Sequence, residues 1–249
     1  MPFKEGDQSP EPEQPEEEKK EIIDISEKEL LKLMTSHEFL KALKIAGQET
    51  YISGRETGFD IFAFKDKKLE FGDIKKGGLD ALGGLDYTDT ETIKAEREDL
   101  MNDFSNGLCE ILVLLHFHPS SEEAIIPSGA DLNNLIKAPL IVTCRIQKNK
   151  IIDALLVKLN QNIPVTELDS AADFYDQEIS SLYSEKSSRR GGDFVESKIQ
   201  DETVSKVLSG NGFDNCTIHY NYNKKQGKYT LMKKSKKEIS KFGGLKIKI

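Results

Sequence analysis

The amino-acid sequence predicts an α/β sandwich, a mixed β-sheet with flanking helices. Two observations carry this expectation. Stretches of helical periodicity and stretches of strand character alternate along the chain in the order helix, strands, helix, strands, helix. The run CEILVLLHFHP at 109–119 is nearly continuous apolar sequence, the pattern of a strand buried on both faces in the middle of a sheet. With 249 residues there is room for one medium domain with additions or for two small ones.

Residues 1–25 are rich in proline and glutamate and are expected to be a disordered acidic tail, because they cannot bury enough surface to offset chain entropy. Apolar residues then recur at helical spacing, from Leu30, Leu31, Leu33 and Met34 through Phe39, Leu40, Leu43 and Ala46. His37 stands in this stretch as a solvated helix residue. GFDIFAFKDKKLEFGDI (58–74) reads as a hairpin turning at Lys65–Lys68. The glycine-rich 75–90 predicts a long mobile loop, and a helix capped by Asp89 or Thr90 follows over 90–104.

Pro119 ends the central strand, since it cannot donate to a ladder. A helix over about 129–137 and two strands, LIVTCRI and IIDALLVKL, come next. Leu168, Ala172, Tyr175, Ile179 and Leu182 form one stripe of a helix over 167–185. SEKSSRRGGD (184–193) has linker composition. Beyond it a helix (194–209), a hairpin (CTIHYNY and KYTLMKK) and a solvated lysine-rich end are expected, with Phe213, Tyr220, Tyr222 and Tyr229 as a small core of their own. His219 has no acidic or cysteine partner at ligand spacing along the chain and reads as structural.

Composition narrows the function. The formal charge of −8 makes nucleic acid an improbable general partner. Charge is uneven: residues 224–249 hold ten lysines against Glu238 alone, while residues 1–21 hold eight acidic residues against three lysines. Cys109, Cys144 and Cys216 are too few and too scattered for a disulfide framework or a zinc ribbon, and are expected as reduced core thiols. No segment approaches the roughly 18 apolar residues needed to span a bilayer, and the N-terminus lacks the character of a secretory signal. A soluble, cytoplasmic protein without a membrane partner is expected.

The chemistry concentrates in HFHPSSEEAIIPSGADL (116–132). Alternation along a strand points His116 and His118 to one side and Phe117 to the other, with the histidine backbones about 7 Å apart. Two neutral imidazoles so placed can converge on one ion, and Asp131 offers an oxygen ligand that leaves a fourth position open. H-x-H alone is a weak signal, and Ser128 with Asp131 equally fits a capping box at a helix start. Strand, H-x-H-P, loop and S-x-x-D together form a more specific pattern.

That compound pattern, carried by His116, His118, Pro119, Ser128 and Asp131, resembles the signature of the JAMM/MPN zinc metalloprotease family. The resemblance implies an MPN sandwich (JAMM, cytidine-deaminase-like) over 26–186; residues 187–249 fall outside it as a C-terminal extension, for which a partner- or substrate-binding role is a separate expectation. It implies Zn2+ held by His116, His118 and Asp131, with Ser128 steadying the oxyanion. It further implies a glutamate as general base where the first helix gives way to the first strand. Glu56, followed by Thr57 and Gly58, matches the family's opening better than Glu49, which falls within the helix. Phe117 stands where the family often has serine or threonine, and the loop from His118 to Ser128 is about two residues longer than the commonest spacing. The implied substrate is a conjugate of ubiquitin or a ubiquitin-like modifier, cut at the isopeptide bond, with the Gly77–Asp86 loop placed to clamp the modifier's tail. Processing of a sulfur-carrier protein of ubiquitin-like fold, and a non-catalytic MPN scaffold, are the alternatives.

Overall fold

Serine and glycine set the course of the chain ahead of the sheet. The computed structural model describes residues 22–77, 98–119, 125–147, 150–188 and 199–248. Strand β1 (Ile22–Ile25) leads to Ser26, which opens helix α1 (Glu27–Thr35) with a capping box: its hydroxyl accepts from the Glu29 amide and the Glu29 carboxylate accepts from the Ser26 amide. Ser36 is extended and ends α1 while capping α2 (His37–Ser53), so the single periodic stretch is two helices. Gly54, at φ 67°, closes α2 in the left-handed conformation that favours glycine and turns the chain toward the sheet.

The expected hairpin follows as β2 (Thr57–Phe64) and β3 (Leu69–Phe71), and then the two-residue β4 (Lys75–Lys76), where only a loop was expected. Helix α3 (Glu98–Ser105) matches the second half of the expected 90–104 helix. Its expected caps, and all of the Gly77–Asp86 loop except Gly77, lie outside the described residues. Next come β5 (Cys109–His118), α4 (Gly129–Asn133) with a tighter turn over Asn134–Ile136, β6 (Leu140–Gln147) and β7 (Ile151–Leu159). The last elements are α5 (Leu168–Ser188), α6 (Asp201–Gly210), β8 (Phe213–Asn223), β9 (Lys228–Leu231), α7 (Lys233–Phe242) and β10 (Leu245–Lys248).

One sheet has the order β3-β2-β5-β6-β7-β8-β9, with β4 also alongside β2. Among the described residues only β5 and β6 run parallel; the other pairs are antiparallel, so the sheet is mixed as expected. One face is covered by α1, α2 and α7, whose Leu30, Met34, Phe39, Leu43, Ile239 and Phe242 pack on Val113, Leu115 and Phe117 of β5 and their neighbours. The other is covered by α4, α5 and α6 through Leu132, Ala172, Tyr175, Val204 and Leu208. This is the helix–sheet–helix layering that the alternation of elements implied. Among the described residues, no helix is long and apolar enough to cross a membrane.

Both ends of the chain depart from expectation. Ile22–Ile25, assigned to the tail, pairs antiparallel with β10 in a separate two-stranded sheet and buries Ile23 and Ile25. Alternating isoleucines are what give this short strand a face to bury. The C-terminal aromatics do not form a core of their own: Tyr220 and Tyr229 join the α1/α2 face, and Phe213 joins the α5/α6 face. Strand β8 pairs with β7 along nine residues, so residues 213–231 continue the main sheet. Nor is the lysine-rich end wholly solvated, since α7 buries Ser235, Ile239 and Phe242 at helical spacing while its lysines face outward. The linker expected at 184–193 begins inside α5, which continues to Ser188.

Candidate metal centre

Strand β5 brings His116 and His118 to one face. Their Nε2 atoms lie 3.1 Å apart, with ring centroids 5.0 Å apart. Phe117 points the other way, into the core under α2, where a side chain on Gly47 would meet its ring at 3.0 Å. His116 is 5% exposed, so it sits in the protein rather than on it.

Glu56 reaches the same place through the register of β2. Thr57 pairs with Phe117 and Gly58 with His116, so one step further outward Glu56 stands opposite His118, on its face. Glu56 Oε1 is 3.8 Å from His118 Nε2. The Thr57 hydroxyl donates to the Ala46 carbonyl at 2.8 Å and accepts from Thr50 at 2.6 Å, pinning the end of α2 to the start of β2. On the outer side, the Gly77 amide donates to the Glu56 carbonyl. Glu49 instead forms an ion pair with Lys76 at 2.7 Å.

Asp131 arrives from α4. The capping box and the ligand reading of S-x-x-D prove compatible, because each uses a different carboxylate oxygen. Oδ2 accepts from the Ser128 amide at 2.7 Å and from its hydroxyl at 2.8 Å, while the Asp131 amide donates to Ser128 Oγ. Oδ1 lies 3.5 Å from His116 Nε2. The Ser128 proton is thus taken up in orienting Asp131. Asp176 of α5 accepts from the Gly129 amide at 2.8 Å, serving the exposed first turn of α4. A β-carbon on Gly129 would collide with that Asp176 carboxylate and come within 3.2 Å of the Ala172 carbonyl, so only glycine allows the two helices this close.

One ligand atom from each of His116, His118 and Asp131 lies within 4.8 Å of the others. Tetrahedral zinc, with bonds of about 2.0–2.1 Å to nitrogen, separates its donor atoms by about 3.3 Å, and the 3.1 Å and 3.5 Å spacings bracket that value. Burial, and then the charge of His116, push the His118 imidazole down to about 4, against the opposing pull of Asp131. His118 is therefore neutral near pH 7, with a lone pair to offer. Burial works against ionisation of Asp131, but the two histidines and the Ser128 hydrogen bonds outweigh it and hold the carboxyl below its usual value. Two imidazole nitrogens, one anionic oxygen and an adjacent carboxylate form a group that could hold a metal ion.

A polar row continues across the same face of the sheet. His118 pairs with Arg145, Arg145 with Asp153 and Asp153 with His219. His219 therefore does have an acidic partner: its Nδ1 lies 2.7 Å from Asp153 Oδ1. Arg145 Nε and Gln147 Nε2 donate to the other oxygen at 2.9 Å and 2.6 Å. Burial opposes the Asp153 charge, yet the hydrogen bonds and charges of His219 and Arg145 prevail and keep its pKa below the usual carboxylate value. A depressed folded pKa gives stability that is present above the unfolded value of about 3.9 and is lost as pH falls through the folded one. Denaturant midpoints measured from pH 7 to pH 2 should fall less steeply below about pH 4 in Asp153→Asn than in wild type. Parallel curves would mean that Asp153 is not anchored this way.

No family model matches the chain, and no curated protein matches it. The motif marked His116, His118 and Asp131 because local spacing places them. It held no sign of the Thr50–Thr57 pair, nor of Asp176 and Asp201, which contact Gly129 and Ile125 across 47 and 76 positions.

Proposed function

We propose that this protein is a zinc-dependent peptidase of the JAMM/MPN type, hydrolysing the isopeptide bond between a ubiquitin-like modifier and its target. The observation that supports it is the gathering of one ligand atom each from His116, His118 and Asp131 within 4.8 Å, with Glu56 Oε1 3.8 Å from His118 Nε2. A zinc ion held by the two histidines and the aspartate would supply a Lewis acid and lower the pKa of water at the site. Glu56, with Oε1 3.8 Å from His118 Nε2, would take a proton from the attacking water and hand it to the departing amine. Ser128 holds Asp131 in line through Oδ2, and would have to turn its hydroxyl to donate to the oxyanion.

Glu56→Gln is the decisive variant, since it keeps the shape of the side chain and removes its basicity. Zinc content should stay at the wild-type level, while cleavage of an isopeptide-linked modifier conjugate falls by about 10²–10⁴-fold. Full cleavage by Glu56→Gln with zinc still bound would dismiss the mechanism.

A further inference from the structure

Helix α4 has only five residues, too few to keep its shape in water unaided, yet it carries Asp131 to the histidines. Asp176 steadies its first turn. The segment leading into it is held from much further along the chain. The Ile125 amide donates to Asp201 Oδ1 at 3.1 Å, across 76 positions, from the first residue of α6. Arg145 grips the same carboxylate, with Nη2 2.8 Å from Oδ2 and Nη1 3.4 Å from Oδ1. Arg145 is itself fixed by Asp153 and is the strand neighbour of His118. An unbroken chain of charged contacts thus joins the strand beside one ligand to the segment that presents another.

We propose that Asp201 is a positioning residue of the metal centre, setting the distance between Asp131 and the two histidines through Ile125 and Arg145. This rests on the reading of His116, His118 and Asp131 as metal ligands. Asp201 touches none of them. Its side chain is 34% exposed, so its removal opens no core cavity.

Cobalt(II) titration of the full chain, followed by visible absorption, tests this independently of catalysis. Wild type should bind one Co2+ with the band of a low-symmetry four-coordinate site. Asp201→Ala should bind about tenfold more weakly, within the range seen when residues behind metal ligands are removed, and its band should shift. Asp201→Asn keeps an acceptor for the Ile125 amide but loses the charge facing Arg145, and should fall between the two. In zinc-loaded protein, kcat should drop with KM little changed. Wild-type affinity and an unshifted band in Asp201→Ala would overturn the proposal. Should circular dichroism show that variant unfolded, the same result in Asp201→Asn would overturn it. No Co2+ uptake by wild type would instead remove the metal-centre reading, and this inference with it.

Discussion

Replacing His118 with alanine is expected to abolish stoichiometric zinc binding and, with it, all measurable hydrolysis. Three protein ligands are the usual complement of a catalytic zinc, and taking one away leaves a pair that competes poorly with solvent. The proposed reaction needs a water whose pKa has come down from 15.7 to about 7, which two ligands and no bound ion cannot provide. The fold itself should survive, because the His118 side chain is 25% exposed and faces the site rather than the core. Metal analysis and thermal unfolding, with and without zinc, check this together. Zinc at about 100 times its dissociation constant should stabilise wild type by about 2.7 kcal/mol, and should leave the melting point of the variant unmoved. One zinc retained per chain of His118→Ala would show that the ion is held elsewhere.

The largest loss of stability is expected from Lys75→Met. Lys75 Nζ lies 2.5 Å from Asp60 Oδ2, and the two side chains are only 4% and 2% exposed. Methionine nearly matches the volume of lysine, so packing is kept while the buried Asp60 carboxylate loses its contact with the Lys75 ammonium. Removing one partner of such a pair costs about 3–5 kcal/mol, far more than the pair itself contributes over well-packed apolar residues. Changing both together, Asp60→Leu with Lys75→Met, should therefore recover most of the loss. Urea unfolding of the single and double variants measures both effects, and a cost below about 1 kcal/mol for the single change would contradict the argument. A catalytic cost should accompany it. Lys75 sits in β4, which pairs with Thr57 and Gly58 and continues to Gly77, the donor to the Glu56 carbonyl. Loosening β4 frees the backbone that carries the proposed base.

Much of the site was legible because its parts are local. Period-two alternation in β5 separates His116 and His118 from Phe117 whatever the surroundings, and a serine three residues before an aspartate marks a helix start. The resemblance favours Glu56 over Glu49, and the register of β2 on β5 sets Glu56 one step beyond the Thr57–Phe117 pair, opposite His118. Local pattern could not reveal that Lys76 engages Glu49, or that Asp153 meets His219 across 66 positions.

The ends of the chain illustrate the same division. Residues 1–21 of the expected tail lie outside the described residues, while Ile22–Ile25 finds a partner only because β10 lies beside it. Tyr220 and Tyr229 were recognisable as core residues by type, but not the core they would join, since that depends on β8 docking against β7.

Periodicity, capping and strand alternation are written within a few residues of one another, and the alternating layers, the central strand and the shared face of His116 and His118 follow from them. The sheet order, the C-terminal strands within it, the Asp176 carboxylate on the first turn of α4 and the Asp201 carboxylate on the segment before it are set only by the tertiary structure. Strand pairing and charge contacts join segments whose separation along the chain carries no information about their separation in space.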